Sequence, residues 1–98
     1  MLYVILFEDE ENRADMRTRH MAAHLAFLEA KAASIKSAGP LSDADTGAVA
    51  GGLWLVEAEN LEAAQALYHA DPFWPTGLRK SVRVLHWRRV FADGRRLT

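Results

Sequence analysis

The 98-residue chain contains no cysteine. That excludes disulfides, thiol nucleophiles and thiolate metal sites, and it is compatible with a reducing compartment. Nor does positive charge dominate: 12 Lys and Arg stand against 13 Asp and Glu, for a formal net charge of -1. Nucleic-acid binding usually demands a strongly basic face, so no nucleic-acid partner is expected. Long hydrophobic runs are missing too. The opening stretch Met1–Phe7 is far too short to span a bilayer. No positive charge precedes it, and Glu8, Asp9, Glu10 and Glu11 follow it, which is not the layout of a signal peptide. No membrane association is expected, and a cytoplasmic location is. Serine is sparse, with no Gly-x-Ser-x-Gly elbow and no phosphate-cradling Gly-rich loop with lysine.

What remains is the composition of a globular domain, 50% hydrophobic and 26% charged. The length fits one domain, expected over residues 1–91, with a short polar tail over 92–98. Residues 2–7 read as a strand rich in β-branched and aromatic types. Residues 12–32 read as a helix with Asn12 as its cap. Met21, Leu25, Leu28, Ala32 and Ile35 supply its apolar spacing, Ile35 falling at the helix end or in the next element. Residues 34–41 form a short extended segment, where Gly39-Pro40 argues for a sheet edge. A flexible loop follows over 42–51, then a strand over 52–58. A second helix over 61–70 has Asn60 as cap and Leu61, Ala64, Leu67 and Tyr68 facing inward. Asp71-Pro72 stops it. A loop over 73–80 leads to a last strand over 81–91.

That β-α-β-β-α-β order is the split-βαβ, ferredoxin-like arrangement. It predicts an α+β fold with a four-stranded antiparallel sheet and both helices on one face. The first and third strands are apolar on both faces, with Leu2, Val4 and Leu6 opposite Tyr3, Ile5 and Phe7, and Leu53 and Leu55 opposite Trp54 and Val56. A sheet with one wet face alternates with polar residues instead. The uncovered face therefore needs a partner, and a homodimer is expected to hide Tyr3, Ile5 and their neighbours.

His20 and His24 share a helix face four residues apart, a spacing that chelates zinc only with a third ligand. No His-Glu-x-x-His motif is present, and neither metal nor cofactor is expected. His24, beside Leu25, is the nearer to the core. Asp71 has two readings. It caps the turn that begins at Pro72, or it faces a histidine and fixes its tautomer. Arg13, Arg17, His20 and His24 form a cationic stripe, either a solvated face or an anion-binding one.

Four stretches resemble the YCII-related proteins. They are Leu2-Tyr3-Val4-Ile5-Leu6, the helix run from Arg17 to Leu28 containing His24-Leu25, Ser37-Ala38-Gly39-Pro40-Leu41, and a longer series. That series holds Gly52 to Ala58, Leu61 to Ala66, Ala70-Asp71-Pro72-Phe73 and Gly77-Leu78. The resemblance spans nearly the whole chain before Phe91. It implies a ferredoxin-like α+β barrel formed as a dimer, and a suspected active site pairing His24 with Asp71. Arg17 matches a helix arginine frequent in the family, whereas a second arginine, three residues before the histidine, is replaced by Met21. One activity associated with the family is dehydrochlorination of a chlorinated, hydroxylated aromatic.

The expected function is a lyase-like small-molecule enzyme with His24 as general acid or base and Asp71 as its orienter. Arg17 would stabilise charge, while Trp54, Phe73 and Trp74 line an apolar pocket. A non-catalytic ligand-binding module and a purely structural dimerising domain are the alternatives.

Overall fold

A computed structural model describes residues 1–98. Strand β1 (Leu2–Asp9) leads through a single 3-10 turn (Glu11–Arg13) into helix α1 (Ala14–Ala30). Strands β2 (Ile35–Ser42) and β3 (Val49–Glu57) form a hairpin, followed by helix α2 (Leu61–His69). A second 3-10 turn (Trp74–Thr76) precedes β4 (Arg79–His86), and β5 (Phe91–Ala92) and β6 (Arg95–Arg96) close the chain. The main sheet runs β2-β3-β1-β4 with every pairing antiparallel. This is the ferredoxin-like α+β topology. No helix is long and apolar enough to cross a membrane.

The core lies between the sheet and the helices. Tyr3, Ile5 and Phe7 of β1, Trp54 and Val56 of β3, and Ala64 and Tyr68 of α2 are buried together. The face expected to meet a second copy is thus the helix-covered one. Leu2, Val4 and Leu6 turn the other way, where Val4 is flanked by Leu55 and Leu85, and Leu6 by Leu53 and Arg83. On that opposite face Leu85 and Leu41 stand 40% and 38% exposed.

Several local expectations need correction. Asn12 caps nothing: it sits inside the first 3-10 turn, and α1 begins only at Ala14 with no side-chain cap. The α1 stripe is also rotated. Leu25 is 49% exposed, while His24 is buried and Phe27 and Leu28 pack on the core. On α2, Asn60 does cap, its Oδ1 accepting from Ala63 N at 2.9 Å, but Leu61 points outward.

At the C-terminus, β4 stops at His86 rather than residue 91. Its partner β1 begins at Leu2, and the bond from Trp87 N to Leu2 O (2.8 Å) uses the last carbonyl available. The tail is not a loose end either. Asp93 and Gly94 both take positive φ (53° and 76°), the backbone of a tight hairpin turn, and bring Phe91 opposite Arg96. At the other end of the sheet, β3 starts at Val49, earlier than residue 52, through a bulge at Gly51. A side chain there is excluded: φ is +121°, and a Cβ would lie 1.9 Å from Phe7 O.

Candidate active site

Helix α1 carries no Gly or Pro and is rich in alanine, so it forms readily despite a polar inner stripe. That stripe brings Arg17, Met21 and His24 over the sheet at i, i+4 and i+7 spacing. Asp71 arrives from the end of α2. Its Oδ1 lies 2.7 Å from His24 Nδ1, both groups being buried. The same oxygen accepts the N–H of Phe73 at 3.1 Å. The two readings of Asp71 are therefore compatible: one atom closes the turn at Pro72 and faces the histidine.

This contact places a donor nitrogen against a carboxylate, so Nδ1 carries hydrogen and Nε2 is left as the basic nitrogen when the ring is neutral. Nε2 makes no hydrogen bond within the chain. Phe73 stacks on the His24 ring, with centroids 4.0 Å apart and planes 14° apart, and fixes the ring's plane from behind. Trp54 lies 6.1 Å away and forms another wall.

Arg17 pairs with Asp9 at the end of β1. Asp9 also accepts from Nη1 of Arg79 at 2.8 Å. Arg79 is the residue that sequence reasoning missed. Its side chain is 3% exposed, lies over the Phe7 ring at 4.2 Å, and sits 5.4 Å from the Phe73 ring. Burial lowers its pKa from the usual guanidinium range, against the support of Asp9. Nothing in the local sequence marks it, because Arg79-Lys80 falls in the stretch over 73–80 that reads as a loop, whereas β4 already starts at Arg79. Only the pairing of Asp9 with Arg79 across β1 and β4 turns it inward.

His24, Arg17, Arg79 and Trp54 surround a pocket of about 90 Å³, closed on the β2 side by Gly39 and Pro40. The largest concavity, about 550 Å³, lies elsewhere, over Glu8 to Glu11 and Lys80. It is an open polar groove that shares Asp9 with the cluster but reaches neither His24 nor Asp71. Trp74 lies outside the pocket: its ring packs on Tyr68 and His69, each at 5.0 Å. Phe73 contributes as backing for His24, being fully buried. His20 stands four residues along the helix from His24, and no three potential metal-ligating side chains converge anywhere in the chain.

The pattern of the YCII-related domain matches residues 1–88. The chain belongs to the YCII-related family. Protein YciI of Escherichia coli O6:H1 is 34% identical over 98 residues, covering 93% of this chain and 100% of that protein. The uncharacterized protein YjpA of Bacillus subtilis is 35% identical over 71 residues, covering 70% of this chain and 76% of that one. Among solved structures, the 5-chloro-2-hydroxyhydroquinone dehydrochlorinase TftG of Burkholderia phenoliruptrix, in complex with 2,5-dihydroxybenzoquinone, superposes with a TM-score of 0.79. It is 33% identical, covering 90% of this chain and 94% of that one. The match to the YCII-related pattern ends at residue 88, so the β5–β6 hairpin lies beyond it.

Proposed function

We propose that this YCII-related protein is a small-molecule enzyme of lyase type that works as a cytoplasmic homodimer, with His24 as general acid/base and Asp71 as its positioning partner. The observation that carries the reading is the buried 2.7 Å contact between His24 Nδ1 and Asp71 Oδ1 at the wall of a pocket. It leaves Nε2 to take a proton from a ligand C–H or O–H, while the bonding electron pair stays on the ligand. In a dehydrochlorination that pair forms a new π bond as the C–Cl bond breaks, and chloride leaves with the electrons of that bond. Such general base catalysis contributes about 10²–10⁴-fold in rate. Likeness to a dehydrochlorinase over 90% of the chain supports this class of reaction. The cysteine-free sequence is compatible with the cytoplasm.

The homodimer rests on the open sheet face, where Val4, Leu53, Leu55 and Leu85 meet no helix. Two such faces packed together would bury it, by the usual symmetry of small oligomers.

The test is chloride release from chlorinated hydroquinones, including 5-chloro-2-hydroxyhydroquinone, by wild type and His24→Ala. Release by wild type alone is the expected result. Equal release by both, above the protein-free rate, would remove His24 from the chemistry. A second reading, a ligand-binding module without turnover, draws support from how closely Phe73 covers the His24 ring. It predicts that a compound raises Tm in both proteins and is recovered unchanged.

A further inference from the structure

A guanidinium has five N–H donors, and in a buried site each needs an acceptor. Arg79 spends one. Nη1 donates to Asp9, Nε is sealed from solvent with no partner, and Nη2 makes no hydrogen bond. The aromatic faces of Phe7 and Phe73 hold the charge but accept no conventional bond. Gly52 leaves the group just enough room, since a Cβ there would stand 3.3 Å from Nη1.

Counterions tell the same story. Asp9 is one carboxylate between two guanidiniums, those of Arg17 and Arg79. Asp71 offsets the second positive charge at longer range while it also faces His24. The cluster is therefore neutral while His24 is neutral, and gains a positive charge once His24 holds an extra proton.

We propose that Arg79 is the anion-binding residue of this pocket, holding a small oxyanion — a carboxylate, enolate or phenolate oxygen — against His24. This rests on the reading of His24 as a base: a ligand that gives His24 its proton becomes the anion that the cluster then lacks. The pocket sets the scale. At about 90 Å³ it holds the volume of roughly three waters. The anionic head of a ligand fits there, with the remainder extending outward. Arg17, tied to Asp9 and 5.7 Å from the Phe73 ring, flanks the same opening.

The experiment uses sodium formate as the anion and formamide as its neutral counterpart, followed by the Arg Nε–H resonances in ¹H–¹⁵N NMR. In wild type, the Arg79 Nε–H signal should shift saturably with formate and barely with formamide. Arg79→Gln should weaken formate binding by about ten- to a hundredfold with the amide spectrum still dispersed, as loss of a charged hydrogen-bond donor implies. Should that variant not fold, Arg79→Lys serves in its place, with retained charge but no planar fork and hence weaker binding than wild type. A wild type that shows the formate response yet releases no chloride from chlorinated hydroquinones keeps Arg79 as the anion site and overturns only the reading of His24 as a base. No saturable shift in wild type, or equal shifts with formate and formamide, would overturn the proposal and leave a pocket that holds water only.

Discussion

Replacing Asp71 with alanine removes one oxygen on which two buried donors converge. His24 Nδ1 lies 2.7 Å from it and Phe73 N 3.1 Å. Both donors are then stranded in a site that the fold closes around Phe73. An unsatisfied buried donor costs about 1–3 kcal/mol, so the expected loss is about 2–6 kcal/mol. That is a large share of the roughly 5–15 kcal/mol that holds a domain of this size together. Asp71→Asn keeps an acceptor oxygen at the same place and should lose only about 1–2 kcal/mol. Pairing Asp71→Ala with His24→Ala removes one of the stranded donors, so the double variant should fall short of the sum of the singles. The assay is urea unfolding, with loss read from the midpoint at constant slope. In a thermal scan, each kcal/mol corresponds to about 4–8 °C. If Asp71→Ala unfolds within about 0.5 kcal/mol of wild type, the reasoning from two converging donors is refuted.

Three further outcomes follow from particular residues. Gly51→Ala should cost about 2 kcal/mol or more in urea unfolding, because φ of +121° and the approach to Phe7 O strain any side chain there. Val4→Lys, on the open sheet face, should convert the proposed dimer to a folded monomer, read as half the mass in light scattering; an unchanged mass would move the interface elsewhere. Asp43 accepts from Asp45 N and Thr46 N, and these backbone bonds lower its pKa from the usual 3.8. A lowered folded-state value means that the stabilisation is fully present at neutral pH and is lost as pH falls through that value. Amide exchange at Thr46 should therefore quicken on acidification below pH 3.8 in wild type, but show no such acid-dependent loss in Asp43→Asn.

The element order was legible because it rests on strong local signals. Short apolar strands rich in β-branched and aromatic residues, the Asn60 cap and the break at Asp71-Pro72 each act within a few residues. Where the reading failed, the deciding partner was distant. The end of β4 is set by where β1 begins, and the orientation of α1 by a buried His24 and a half-buried Arg17 that an apolar-periodicity count passes over in favour of Leu25. The hairpin at Asp93-Gly94 is different, since that dipeptide is a turn signal in its own right. In the site, His24, Asp71 and Arg17 were reached through motif resemblance, and Trp54 through its strand position. Arg79 was not, because a buried arginine is legible only through its counterion, and Asp9 is 70 residues away.

The central claim is that His24 moves a proton while Asp71 positions it. Steady-state turnover by wild type and His24→Gln on whichever chlorinated hydroquinone releases chloride tests this most directly. The account predicts that kcat falls by about 10²–10⁴-fold while KM changes little, since glutamine keeps the pocket filled but cannot take the proton. A His24→Gln protein that turns over at the wild-type rate would contradict it.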